Sequence, residues 1–141
     1  RPSGGSAVAA KHLWPNVKVI GVETVPANDA QQSFRSGTIV RIPPPDTIAD
    51  GMRTQAVGTR TFEIMKKYVD DIVTVTDEQV MEMMRFLLFR MKTVSEPTGA
   101  VAPAAVYHNV LGLRGKRMCA IISGGNVEPA MLQRVISEGL E

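Results

Sequence analysis

Hydrophobic and polar positions along the chain alternate between two periods. Short apolar runs rich in β-branched residues occupy residues 17–23 (VKVIGVE), 70–76 (DDIVTVT) and 118–122 (MCAII). They predict strands. The last is continuously apolar, bounded by basic residues before it and glycines after it, which suits a strand covered on both faces. It places Cys119 in the core and runs into Ser123-Gly124-Gly125-Asn126, a tight turn that passes straight into a helix over residues 127–138 with Asn126 as its cap. That helix turns Val127, Leu132, Val135 and Ile136 inward and stops at Gly139.

The intervening stretches carry helical spacing. Residues 6–13 are Ala-rich and end at Trp14-Pro15-Asn16, because proline cannot continue a helix. Residues 27–37 predict a short helix with a glycine stop, and residues 38–41 a brief strand. Pro43, Pro44 and Pro45 impose an extended connector. Residues 47–51 (TIADG) predict a turn in which Gly51 takes positive φ. Residues 59–69 predict a helix with Phe62, Met65 and Val69 on one face.

The longest helix follows Thr76. Thr76 and Gln79 have capping-box spacing, Asp77 and Glu78 fill the first turn, and Arg90 and Lys92 lie near the end. Its stripe is Val80, Met83, Met84, Leu87, Met91 and Val94. Methionines at this spacing are core filler more often than an adaptable groove. Pro97 ends that helix and another runs from Thr98 to Val106. Strands interleaved with helices predict an α/β layered domain with a largely parallel sheet.

Composition changes this picture little. At 141 residues, the chain suits one domain, residues 1–141. A net charge of +2, with no basic stripe carrying interleaved aromatics, argues against a nucleic-acid partner. No apolar run approaches the roughly 20 residues that span a bilayer, so no membrane partner is expected. A lone cysteine cannot form an internal disulfide, which fits a reducing, cytoplasmic setting.

Three features can carry chemistry. Ser123 to Asn126 presents backbone N–H groups at a predicted helix start, which suits an anion as well as a plain tight turn. Glu96, in Ser95-Glu96-Pro97-Thr98-Gly99, is a capping acid or a partly desolvated carboxylate. Glu23 and Asp29 bracket a turn and, with a backbone carbonyl between them, can hold a hard cation. His12 and His108 are isolated and form no metal spacing.

Taken in order, PNVKVIGVE at residues 15–23, DTIADGM at 46–52, YVDDIVTVTDEQV at 68–80, RMKTVSEPTGA at 90–100 and IISGGNVE at 121–128 resemble the C-terminal part of fold-type II pyridoxal phosphate enzymes. The likeness is to threonine/serine dehydratases and serine racemase, and it covers nearly the whole chain. It implies a partial three-layer α/β domain, the C-terminal half of such an enzyme's large domain, with a mostly parallel sheet flanked by helices. It implies pyridoxal phosphate as cofactor and β-elimination on hydroxy amino acids as the family's reaction.

The resemblance also implies roles. Ser123 partners the pyridine nitrogen, Gly51 and Gly124 lie close to the coenzyme, and Glu96 stands near its pocket. Glu23, the Ala27 carbonyl and Asp29 match a divalent-cation site, for Mg or Ca. The family's Schiff-base lysine belongs to a string N-terminal to everything aligned here, and Ser33-Phe34-Arg35 does not replace it. Counting back in register puts Arg1 at the last glycine of the phosphate-cradling loop and makes Gly4-Gly5 helix-start residues. The expectation is a chain inactive alone that self-associates or pairs with a complementing N-terminal fragment. The alternative is a non-catalytic remnant domain that binds a partner or small ligand.

Overall fold

The computed structural model of the protein describes residues 3–137. Its centre is a parallel pair of strands, β1 (Ile20–Thr24) and β2 (Asp71–Val75), with Ile20 opposite Asp71 and Thr24 opposite Val75. Parallel neighbours need a crossover connection. Here it contains α2 (Asp29–Ser36) and α3 (Thr59–Tyr68), while α1 (Ser3–Leu13) precedes β1. After β2 come α4 (Asp77–Phe89), α5 (Pro97–Tyr107) and α6 (Pro129–Ser137).

Successive strand residues point to opposite faces, so the sheet gathers two cores. Ile72 packs with Ala7, Ala30, Phe62 and Met65, joining α1, α2 and α3 on one face. Val75 packs with Val80, Met84, Leu87, Ala100, Val101 and Val135, joining α4, α5 and α6 on the other. The result is helix, sheet, helix in three layers.

Local signals set several boundaries. Thr76 and Gln79 form the reciprocal capping box, and Gly37 takes the left-handed conformation (φ 74°) that stops α2. Asp70 holds the head of β2. Its carboxylate meets Lys11 Nζ at 2.7 Å and Lys18 Nζ at 2.9 Å, and accepts the Val19 N–H at 2.8 Å. Partial burial opposes its ionisation, but these donors win and hold the carboxyl far below the usual carboxylate range.

The third predicted strand does not form. Residues 118–122 make no ladder, and Met118, Ile121 and Ile122 are 40%, 55% and 39% exposed. Cys119 is exposed as well, so its expected burial is overturned. An apolar run becomes a strand only against a partner edge, and the sheet among the described residues consists of β1 and β2 alone. Residues 38–41 also form no strand, since the Val40 N–H is taken by Ser33 Oγ at 2.9 Å.

Several helix boundaries differ from expectation, and three of the differences bear on the site or the core. α4 stops at Phe89, so Met91 and Val94 leave its buried stripe and are exposed. α5 begins at Pro97 itself, because proline fits the first turn, where the N–H has no partner anyway. α6 begins at Pro129 for the same reason, so the turn at 123–126 does not run straight into a helix and Asn126 is not its cap. Val135 is buried in α6 but Ile136 is exposed. Arg1, Pro2, Glu138 and Gly139, which carried sequence expectations, lie outside the described residues.

Candidate functional site

The site assembles around the start of α5. Glu96 immediately precedes Pro97 and has extended backbone, yet its side chain does not cap the helix. The carboxylate reaches across the chain instead, and Glu96 Oε2 accepts the Asn126 N–H at 3.0 Å. The Glu96 N–H donates to the Gly124 carbonyl at 3.1 Å. Ser95 is buried and aims its hydroxyl at the carbonyls of Gly124 (3.2 Å) and Glu96 (3.0 Å). These bonds clasp residues 124–126 onto the helix start.

The clasp explains two glycines. A Cβ on Gly124 would overlap the Glu96 carboxylate, and one on Gly99 would meet Ser95 Oγ at 2.7 Å and the Gly124 carbonyl at 2.5 Å. Only a residue without Cβ permits backbone to approach this closely. Ser123 stands beside the clasp and is exposed. The anion reading loses its basis, because the Asn126 N–H is already bound to a carboxylate and no helix starts there.

A second turn reaches the same helix start. Thr47, 2% exposed, bonds Asp77 Oδ1 through its hydroxyl at 2.6 Å, and the Ile48 N–H donates to Asp77 Oδ2 at 3.0 Å. Arg53 grips the Thr47 carbonyl through Nε and Nη2 at 3.0 and 2.7 Å. That ties the turn to the first residue of α4. At its far end the Gly51 N–H donates to Asp50 Oδ1 (2.8 Å) and to Thr98 Oγ1 (3.1 Å) in α5. Gly51 lies in a 3-10 turn, Asp50–Met52, and does not take the positive φ expected of it.

The structure thus brings Gly51, Glu96 and Gly124 to one helix end, with Ser123 adjacent in the chain. Ser95, Thr98, Thr47 and Asp77 hold them there, and sequence reasoning assigned none of these four a part. Ser95 and Thr98 lie inside the SEPTG string, which was the available signal. The pairing of Thr47 with Asp77 spans thirty residues and leaves no local trace.

Glu23, Ala27 and Asp29 gather elsewhere, at the carboxyl end of β1, and all three are buried. Glu23 supports the opening of α2, accepting the Gln31 N–H at 2.8 Å and the Ala30 N–H at 3.4 Å. Among the described residues no group of three His, Cys, Asp or Glu side chains could hold a metal, so a cation here would need the Ala27 carbonyl as the third ligand. His12 is exposed, and His108 Nε2 faces Glu82 at 3.5 Å. Lys11 and Lys18 serve Asp70, Lys66 pairs with Glu63, Lys67 lies over Tyr68 and Lys92 donates to the Phe89 carbonyl.

An α/β domain with a site built from turns at helix starts is the class these observations define. The family described as pyridoxal-phosphate dependent enzyme matches residues 3–124. The chain is 52% identical over 124 residues to a serine racemase of Schizosaccharomyces pombe, covering 88% of this chain and 38% of that protein. It is 48% identical over 133 residues to an L-threo-3-hydroxyaspartate ammonia-lyase of Saccharomyces cerevisiae, covering 94% and 41%. The crystal structure of a T.th. threonine deaminase superposes with a TM-score of 0.84 at 44% identity, covering 89% of this chain and 41% of that one. A processed threonine deaminase isoform of Solanum lycopersicum gives 0.88 at 30% identity, covering 99% and 39%. The chain belongs to the pyridoxal-phosphate-dependent enzymes of fold type II, and it spans about two fifths of the length of these relatives. Pyridoxal phosphate is the cofactor of that family. The space a Cβ would fill at Gly51 and Gly124 is taken by Thr98 and Glu96, and no glycine run suited to the coenzyme's phosphate occurs among the residues matched.

Proposed function

We propose that this stretch forms one wall of the coenzyme cleft in a lyase that performs β-elimination on the hydroxy amino acids threonine or serine. It does so as a single unit, residues 1–141, of the catalytic domain. The observation that carries this reading is the clasp of Glu96 on Gly124 and Asn126, with Ser123 exposed beside it. Ser123 offers that hydroxyl to the pyridine nitrogen and leaves the nitrogen largely unprotonated. Gly51 and Gly124 lie close to the ring, and Glu96 keeps the turn in place. When bound, pyridoxal phosphate supplies the electron sink for breaking bonds at the amino acid's α-carbon.

In the family's pattern the lysine that carries the coenzyme and the loop that holds its phosphate precede the residues matched here. Residues 1–141 alone therefore release no α-keto acid from L-threonine or L-serine. Adding a lysine-bearing N-terminal portion produces bound-coenzyme absorbance and α-keto acid. Turnover by the isolated chain would refute the first statement, and absence of coenzyme binding in the reconstituted pair would refute the wall. The setting this implies is cytoplasmic.

A second reading is supported by the exposed apolar residues Met118, Ile121 and Ile122: a non-catalytic module that docks a partner through this segment. Both readings require association, either of the chain with itself or with an N-terminal fragment. Sedimentation at a clean monomer mass in every mixture would count against both. Titration with coenzyme separates them.

Glu23, the Ala27 carbonyl and Asp29 form a Mg or Ca site in this reading, supported by two acid groups buried on either side of one turn. Calcium then raises the thermal midpoint of the chain and leaves that of Asp29→Asn unmoved. Identical shifts in both proteins would remove the site.

A further inference from the structure

The two halves of the wall come from parts of the chain far apart in sequence, and one residue belongs to both. Thr98 lies in the first turn of α5, two residues after the Glu96 that clasps Gly124. Its side chain faces the other way, and Thr98 Oγ1 accepts the Gly51 N–H at 3.1 Å. The hydroxyl lies 3.5 Å from Asp50 Oδ1, which also accepts the Gly51 N–H at 2.8 Å. A carboxylate only accepts, so the Thr98 proton points to Asp50 and an oxygen lone pair is left for Gly51. Contact is tight: a Cβ on Gly51 would come within 3.0 Å of Thr98 Oγ1 and 3.1 Å of its Cγ2, but 3.4 Å from its Cβ.

We propose that Thr98 is a positioning residue that sets where Gly51 stands relative to the Glu96–Gly124 clasp, and so fixes the width of the wall. The inference rests on the coenzyme reading above for its functional meaning, and on hydrogen bonds of this chain for its geometry. Thr47 and Asp77 anchor the near end of the 47–52 turn to α4, while the bond from Gly51 to Thr98 registers its glycine end against α5. A hydroxyl is required, since valine has the same shape but can neither accept from Gly51 nor donate to Asp50. Serine keeps both bonds.

The test follows amide hydrogen exchange at Gly51 in the 141-residue chain and in its Thr98→Val and Thr98→Ser variants. Thr98→Val should speed exchange at Gly51 about threefold, less than for loss of a whole hydrogen bond because the shorter bond to Asp50 Oδ1 remains, with Thr98→Ser at the parent's rate. Unchanged Gly51 exchange in folded Thr98→Val would overturn the proposal. Should Thr98→Val not fold, the tight contact supplies a second route. Gly51→Ala should lower the thermal midpoint in the parent but much less in a Thr98→Ala background, which removes both crowding atoms. Equal lowering in the two backgrounds would overturn the proposal too. In the pair reconstituted with a lysine-bearing N-terminal portion, the bound-coenzyme absorbance maximum should move in Thr98→Val and return in Thr98→Ser. A maximum that stays put in Thr98→Val, with coenzyme bound, refutes the positioning role. Failure of the parent pair to bind coenzyme refutes the cleft itself, while the exchange ratio at Gly51 still decides the bond.

Discussion

Residues 71–75 (DIVTV) and 118–122 (MCAII) are alike on paper and unlike in the fold. The first is β2, hydrogen-bonded along β1, with Ile72 and Val75 at 2% and 1% exposure. The second is more apolar still, yet it lacks a ladder, and Ile121 is 55% exposed. Composition therefore does not separate them. β2 has a partner edge and helices on both faces, whereas 118–122 has neither among the described residues. The largest effect expected of any substitution follows. Ile72→Ala should lower stability by about 3 kcal/mol, through lost transfer energy and the cavity left behind. Ile121→Ala should cost under about 0.5 kcal/mol, as an exposed position does. Denaturant midpoints of the two variants measure this, and equal losses would show that 118–122 is packed in the isolated chain.

The same contrast explains what could be read from sequence. Signals that act within one turn were legible: the Thr76/Gln79 box, the Gly37 stop, and the buried face of Val80, Met83, Met84 and Leu87. Signals that depend on a distant partner were not. The run at 118–122 carries every mark of a buried strand, and only the absence of a neighbouring edge defeats it. Asn126 is a good cap by type, but Pro129 starts the helix and Glu96, thirty residues earlier, takes the Asn126 N–H. Glycine at 51 pointed to positive φ, whereas the actual demand is room for Thr98. The resemblance brought SEPTG and SGGN to one cleft. Spacing alone could not have done so, because the bonds between them join loops rather than neighbours on a helix.

The clasp sharpens the comparison, since it is the point where the exposed segment is tied to the packed part of the fold. Gly99 and Gly124 face each other there, and their alanine variants should differ. A Cβ at Gly99 meets the Gly124 carbonyl, which is backbone and cannot swing aside, so Gly99→Ala should cost about 2 kcal/mol. A Cβ at Gly124 meets the Glu96 carboxylate, the end of a rotatable side chain, and Gly124→Ala should cost about 1 kcal/mol. Removing the obstacle in Glu96→Ala/Gly124→Ala should recover part of the second loss. Thermal midpoints decide it. A larger loss at Gly124 than at Gly99 would mean that Glu96 is held rigidly.

A modest effect lies at the head of β2, where 118–122 has no counterpart. Asp70→Asn removes the charge that Lys11 and Lys18 share, and should cost about 1 kcal/mol at neutral pH, since both pairs are partly open to solvent. The sign with pH follows from the direction of the shift. The Asp70 carboxyl titrates below its ordinary value of 3.8, so the folded state binds its proton less readily than the unfolded chain. Its contribution is complete above that ordinary value and declines as pH falls below it. The stability difference between parent and Asp70→Asn should therefore be flat from about pH 5 to pH 8 and shrink below about pH 4. A difference that instead shrinks as pH rises from about 5 to about 8 would assign the stabilisation to a group other than this carboxylate, and β2 would lose the charged clamp that distinguishes it from 118–122.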